Sequence, residues 1–210
     1  MIWVYGICDR PELAAPRRPG LAQAPLDSLR EQALLAVFTR HAHSLGEPDA
    51  DALWAHERVV ERLMTDRTVL PMRFGSTVAD EAELRRFLVD RQATLAAALA
   101  GIAGRVELGV RILAQREDAG PVASGREYVL SKLRDGARAD RVHEPLAALA
   151  ADSRLQPPRG GEEVLRGAYL VDRSALSRFR AGVQRLQQAH PDVAILCTGP
   201  WPPYTFASGA

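Results

Sequence analysis

Lysine is almost absent from this chain: of 27 basic side chains only Lys132 is a lysine, and the rest are arginine. We attribute the bias mainly to genomic codon usage, with a secondary gain in the planar, forked geometry that arginine brings to salt bridges. An excess of charge is missing as well. The 27 basic and 26 acidic residues leave a formal net charge of +1, which argues against a nucleic-acid binder, whose affinity rests on clustered positive charge. Cysteine is scarce, and Cys8 and Cys197 both sit in strand-like apolar runs. They read as buried free thiols in a reducing cytosol, not as a disulfide. No apolar run approaches the roughly 20 residues needed to cross a bilayer, and no basic segment precedes an apolar core at the start. Neither a membrane span nor secretion is expected.

The usual carriers of chemistry are also lacking. There is no phosphate-cradling G-x-x-x-x-G-K-[ST] or G-x-G-x-x-G loop and no G-x-S-x-G elbow. His56-Glu57-Arg58-Val59-Val60 opens like a zinc-binding helix but has no second histidine four residues on, so His56 reads as a packed core histidine. His41 and His43 could chelate a metal only with ligands from elsewhere, and read as a surface loop pair. Cys8, in its apolar surroundings, reads as an inert thiol. No catalytic residue, cofactor or metal ligand is therefore expected.

What is present is a succession of clear periodic segments. Ile2 to Cys8 is apolar throughout and reads as a buried central strand stopped by Asp9-Arg10-Pro11. A loop follows to residue 25, with Pro11, Pro16, Pro19 and Pro25. The segment Leu26 to Thr39 is helix-like in composition. From Asp49, or Asp51, a helix presents Leu53, His56, Val59, Val60, Leu63 and Met64 on one face. Val69 to Gly75 alternates, with Leu70, Met72 and Phe74 on one side and Arg73 on the other, and Pro71 places this strand at an edge or at its own beginning. Arg73 then points away from the local core, either as a solvated side chain or as an interface hot spot. A long helix capped by Thr77 or Asp80 carries the stripe Leu84, Leu88, Leu95, Leu99 and Ile102, ended by Gly101 or Gly104. Val106, Leu108, Val110 and Ile112 alternate as in a strand covered on one face.

Residues 115–124 are rich in Gly, Pro and charge and read as a linker. Gly125 to Leu130 opens a helix, 135–140 is polar and weakly structured, and 144–152 is helical by pattern. The chain finishes as strand, helix, strand: Val164 to Val171 is expected to pair with Val193 to Cys197 around a helix bearing Leu176, Phe179, Val183 and Leu186. The tail, Gly199-Pro200-Trp201-Pro202-Pro203-Tyr204-Thr205-Phe206, combines three prolines with three aromatics. It cannot be helix or interior strand. Its stiffness makes docking in a groove cheap in entropy. The groove belongs either to the chain itself or to a partner. Trp201 is expected as internal core, and Tyr204 and Phe206 as the more partner-facing pair.

These tail residues resemble the C-terminal motif of the gas vesicle protein GvpL/GvpF family. Leu70-Pro71-Met72-Arg73-Phe74-Gly75 is similar to that family's Leu-Pro-x-Arg-Phe-Gly run, His56 matches a family histidine, and Gly125-Arg126-Glu127-Tyr128 resembles a weaker motif. The resemblance implies that Leu26 to Thr39 is hairpin strand. It also implies a non-enzymatic accessory protein of gas vesicle formation, cytoplasmic and vesicle-associated. Such a protein would act as an adaptor or chaperone-like factor on the small shell protein and on other accessory proteins. The alternatives are a structural component of the vesicle surface and a small α+β enzyme with an interdomain cleft. The expected fold is α+β in two small domains: 1–114, ferredoxin-like with an antiparallel sheet; a linker at 115–124; and 125–210, a smaller α+β unit ending in the tail. Arg73, Phe74, Trp201, Tyr204 and Phe206 are the expected partner-binding residues.

Overall fold

The computed structural model describes residues 1–42, 49–114, 124–160 and 162–207, the side chains at 127, 128, 131 and 132 aside. The chain divides into two compact units, Met1–Gly104 with Pro202–Ala210, and Arg105–Trp201.

The first unit is built on an antiparallel sheet. Its strands are β1 (Ile2–Cys8), β2 (Asp27–Glu31), β3 (Leu34–Arg40), β4 (Val69–Pro71) and β5 (Thr77–Val78), in the order β2-β3-β1-β4 with β5 also on β1. The central β1 is buried at every position, as an uninterrupted apolar run requires. Tyr5 is an extra residue between the pairs Val4↔Phe38 and Gly6↔Val37. This bulge resets the alternation, so that Trp3, Tyr5 and Cys8 all join one core with Val59, Val60 and Leu63. The segment expected as strand at 26–39 is a hairpin, turning at Gln32 with φ of 51°.

Helix α1 (Ala50–Leu63) starts where Asp49 accepts a hydrogen bond from the Ala52 N–H at 2.6 Å. It buries His56, Val59, Val60 and Leu63, whereas Leu53, expected on the same face, is exposed. The strand expected over 69–75 stops at Pro71. The Ser76 N–H donates to the Arg73 carbonyl at 3.0 Å, with Gly75 at φ 90°. That positive φ at the third turn position belongs to glycine, and the turn carries the chain back to β1 as β5. The expected long helix is broken at Arg91 (φ −112°, ψ 12°) into α2 (Glu81–Asp90) and α3 (Gln92–Ile102). Its stripe of Leu84, Leu88, Leu95, Leu99 and Ile102 is buried throughout. Asp80 caps α2 by accepting from the Glu83 N–H at 2.9 Å, while Glu83 reaches back to the Ala79 N–H at 2.6 Å.

The second unit contains β6 (Arg105–Ala114), α4 (Gly125–Ala147), β7 (Asp152–Gln156), β8 (Glu163–Asp172), α5 (Leu176–Ala189) and β9 (Val193–Trp201). Strand–helix–strand–strand–helix–strand, with sheet order β7-β8-β6-β9, is the ferredoxin-like arrangement. Here the expected boundaries shift. Arg105 to Ala114, read as the last strand of the first half, is instead a central strand flanked by β8 and β9. For the same reason β8 and β9 do not pair with each other, as had been expected: β6 lies between them. Residues 115–123 of the expected linker lie outside the described residues. The segment 135–140 is part of α4, because Asp135, Ala139, Val142 and Leu146 recur at helical spacing and are buried. Strand β9 runs on past Cys197 through Pro200 to Trp201, which an edge strand permits. Gly199, at φ 105°, lies so close to β6 that a Cβ would stand 2.8 Å from the Glu107 carbonyl oxygen.

Candidate functional site

Two consecutive residues of α1 gather the specific stretches of the sequence. The first is His56. Trp3 Nε1–H donates to His56 Nδ1 at 3.0 Å, so the ring proton sits on Nε2, which donates to the Met72 carbonyl at 2.9 Å. Burial lowers the imidazole pKa, the Met72 contact opposes this in part, and the ring is held neutral. Phe74 closes over it, edge-on to Trp3 at 4.9 Å and to His56 at 5.7 Å between ring centres. On the other side Tyr5 lies 5.1 Å from the same ring, and its hydroxyl accepts from the Leu21 N–H at 2.7 Å and shares a hydrogen bond with Thr39. His56 thus fastens α1 to the Leu-Pro-Met-Arg-Phe-Gly stretch.

Glu57 fastens α1 to the tail. Its Oε2 accepts from the Tyr204 hydroxyl at 2.9 Å. Burial raises the Glu57 carboxyl above its ordinary range, the Tyr204 bond opposes this, and the neighbouring Glu61 adds to the rise. Burial and the facing carboxylates push the Tyr204 hydroxyl upward. Pro202, Pro203 and Phe206 are buried, and the tail is folded tightly, with the Phe206 and Ala207 N–H groups both donating to the Pro203 carbonyl at 3.1 and 2.9 Å.

The expected partner-binding residues therefore separate. Arg73 is exposed at the turn, and Phe74 is half-buried against Trp3. Tyr204 is half-buried on Glu57, and Phe206 is only 8% exposed. Trp201 is 38% exposed, its Nε1–H donating to Thr198 at 3.3 Å. The division expected within the tail is thus inverted. Trp201 ends the edge strand of the second unit, and the prolines after it turn the chain into the first unit, where Phe206 is buried. Sequence reasoning gave Glu57 no role, placed Leu53 on the buried face, and passed over Trp54. The last two are 48% and 55% exposed on α1. Their signal was there: Trp54 lies off the buried stripe of 56, 59, 60 and 63, where a large aromatic has no core to fill.

Among the described residues no group of three or more His, Cys, Asp or Glu side chains could hold a metal ion, and no helix is long and apolar enough to cross a membrane. Burial pushes the Cys8 thiol up to about 12, so the thiolate that nucleophilic chemistry needs is scarce. Histidine, tyrosine and carboxylate are used here to tie segments together.

The fold defines a class: a two-unit α+β protein whose specific motifs converge on one helix. The family model described as "Gas vesicle synthesis protein GvpL/GvpF" matches residues 1–136 and 129–208. Gas vesicle protein L of a Streptomyces species is 35% identical over 186 residues, covering 75% of this chain and 69% of that protein. Gas vesicle protein F2 of Halobacterium salinarum is 29% identical over 210 residues, covering 98% and 91%. The crystal structure of the gas vesicle protein GvpF from Anabaena superposes with a TM-score of 0.86 at 22% identity, covering 100% of this chain and 96% of that one. GvpF from Microcystis aeruginosa gives 0.81 at 18% identity, covering 99% and 98%. The chain belongs to the GvpL/GvpF family of gas vesicle accessory proteins.

Proposed function

We propose that the chain is a non-enzymatic assembly factor of the gas vesicle, cytoplasmic and vesicle-associated, that holds an apolar segment of the small shell protein and meets other accessory proteins. One observation carries this reading. Helix α1 anchors both specific motifs through His56 and Glu57, and within one turn of them it leaves Leu53 and Trp54 open to solvent. Residues three and four apart on a helix are neighbours, so Leu53 and Trp54 adjoin the Tyr204–Glu57 contact. Tryptophan and arginine dominate binding hot spots. In this reading Trp54, Leu53, Arg73 and Tyr204 of the first unit face partners, with Phe74 and Phe206 packed in that same unit, and Trp201, at the end of the second unit's edge strand, is a separate partner-facing residue. Holding an aggregation-prone segment requires such a face and no reaction.

The test is Trp54→Ala. Its unfolding free energy should stay within about 0.5 kcal/mol of wild type, as for other surface substitutions, while capture of the shell protein falls by about tenfold or more. Undiminished capture by the folded variant would refute the reading.

A further inference from the structure

Both sheets end in strands with no neighbour on one side, and such edges invite pairing with other chains. Most of them are guarded. Strand β2 carries Asp27, Arg30 and Glu31, β7 carries Asp152 and Arg154, and β4 and β5 are only three and two residues long. The exception is β9. It runs for nine residues, holds no charged side chain, and exposes Leu196 and Trp201. Helix α5 already organises its outer edge. The Gln187 amide donates to the Val193 carbonyl at 2.8 Å and accepts from the Ile195 N–H at 2.7 Å, as the backbone of an adjacent strand would. About two helical turns earlier on α5, Arg180 donates to the Gly199 carbonyl at 2.9 Å. Backbone groups alternate sides along an antiparallel strand. Cys197, two positions beyond Ile195, therefore also turns its N–H and C=O outward, between the two α5 side chains. Among the described residues no strand lies there to meet them.

We propose that the outer edge of β9 takes up an extended segment of a partner protein, added beside Cys197 as a further strand of this four-stranded sheet. The surroundings state the chemistry of that segment. Helix α5 carries Arg178, Arg180 and Arg185 and no acidic residue. Cys197 packs its side chain against the core on the α5 side of the sheet. The residue hydrogen-bonded opposite it on the added strand points to that same side, towards Arg180, where a carboxylate fits. Its neighbours fall on the other face, alongside Leu196 and Thr198, where β-branched apolar side chains fit. The segment thus alternates apolar and acidic residues. A second copy of β9 fits worse. Antiparallel pairing about Cys197 would set Gly199 opposite Ile195, and the carbonyl of one and the N–H of the other are already held by Arg180 and Gln187. Nor has β9 any carboxylate to offer Arg180. This site belongs to the second unit and does not rest on the shell-holding reading.

The peptide Thr-Val-Glu-Val-Thr, blocked at both ends, fluorescently labelled and titrated by anisotropy into the full chain at physiological salt, tests the site. Wild type should bind it. The same peptide N-methylated at its glutamate loses the amide that faces β9, and a version with lysine for glutamate loses the match to Arg180. Each should bind at least about tenfold more weakly. Arg180→Glu should reverse the preference between the glutamate and lysine peptides. Leu196→Lys, a guard of the kind the other edges carry, should weaken binding by a similar factor. Both side chains are exposed, and the altered peptides are read on the wild-type protein, which keeps the test clear of folding. No binding up to about 1 mM peptide, undiminished binding of the N-methylated peptide, or an unchanged preference in Arg180→Glu would each overturn the proposal. So would self-association of the wild type that Leu196→Lys abolishes, since that puts a second copy on the edge. Trp54→Ala should bind the peptide as wild type does, even where it loses capture of the shell protein, and peptide binding lost in that variant would place the site elsewhere and overturn this one.

Discussion

In the first unit two lines of neutral polar groups run through the interior: the Trp3 indole, the His56 imidazole and the Met72 carbonyl in one, and Tyr5 with Thr39 and Leu21 in the other. In the second unit a full charge is buried. Glu163 is met by Arg111 Nε at 2.6 Å, by Arg166 Nη2 at 2.9 and 3.0 Å to its two oxygens, and by the Arg159 N–H. These donors outweigh desolvation and hold its carboxyl at about 2. The difference teaches where each unit is vulnerable. A neutral chain depends on each donor keeping its one acceptor, and loses a desolvated group when a link is cut. A charged cluster depends on ionisation, and so on pH.

The largest expected effect lies where the tail passes from one unit to the other. Phe206→Ala, which empties a buried site in the first unit, should cost about 3–5 kcal/mol in urea denaturation. Trp201→Ala, on the edge of the second, should cost about 0.5–1 kcal/mol. Equal losses would erase the distinction between the two aromatics. Next comes Glu163→Gln, at about 1.5–3 kcal/mol near neutral pH, typical of hydrogen bonds to a charged group. Because the folded carboxyl lies at about 2, below its ordinary 4.5, its contribution is complete above 4.5 and is lost as pH falls from there through about 2. The gap between wild type and variant should therefore close across that window. A gap independent of pH would mean that the cluster acts by shape alone. Smaller still is Tyr204→Phe, about 0.5–1.5 kcal/mol for one hydrogen bond, read from thermal melts. No change at all would show that the hydroxyl adds nothing to the tail's attachment. The finest contrast costs no stability: in an NMR titration the His56 ring should stay neutral until the pH is below its ordinary 6.5, since burial lowers its pKa. Protonation at 6.5 would contradict the buried chain.

The class of fold was legible because periodicity reports burial directly. The alternation of 106, 108, 110 and 112 and the helical stripe from Leu84 to Ile102 both describe faces, and both faces are buried where expected. Periodicity says nothing of which strand lies alongside. Arg105 to Ala114 was therefore assigned to the sheet of its sequence neighbours, although its partners are some 60 and 90 residues away. Asp152 to Gln156 escaped notice because an edge strand of five mostly polar residues has neither alternation nor apolar content to mark it. At the candidate site the composition of the tail announced docking, and its three prolines explain why. Its destination on Glu57 is a contact across 147 residues, which no local pattern encodes. Trp54 was visible as a residue and overlooked because attention followed the buried stripe.

The first unit is interrupted by the whole of the second and closed by residues that come after it. On a ribosome adding roughly 5–20 residues per second, the place that Phe206 fills waits empty for several seconds while the intervening segment is made. During that interval the nascent first unit shows an apolar surface that the finished protein conceals. Its burial by Phe206 is a late event of synthesis, and a chain released early lacks the piece that completes its first-made part.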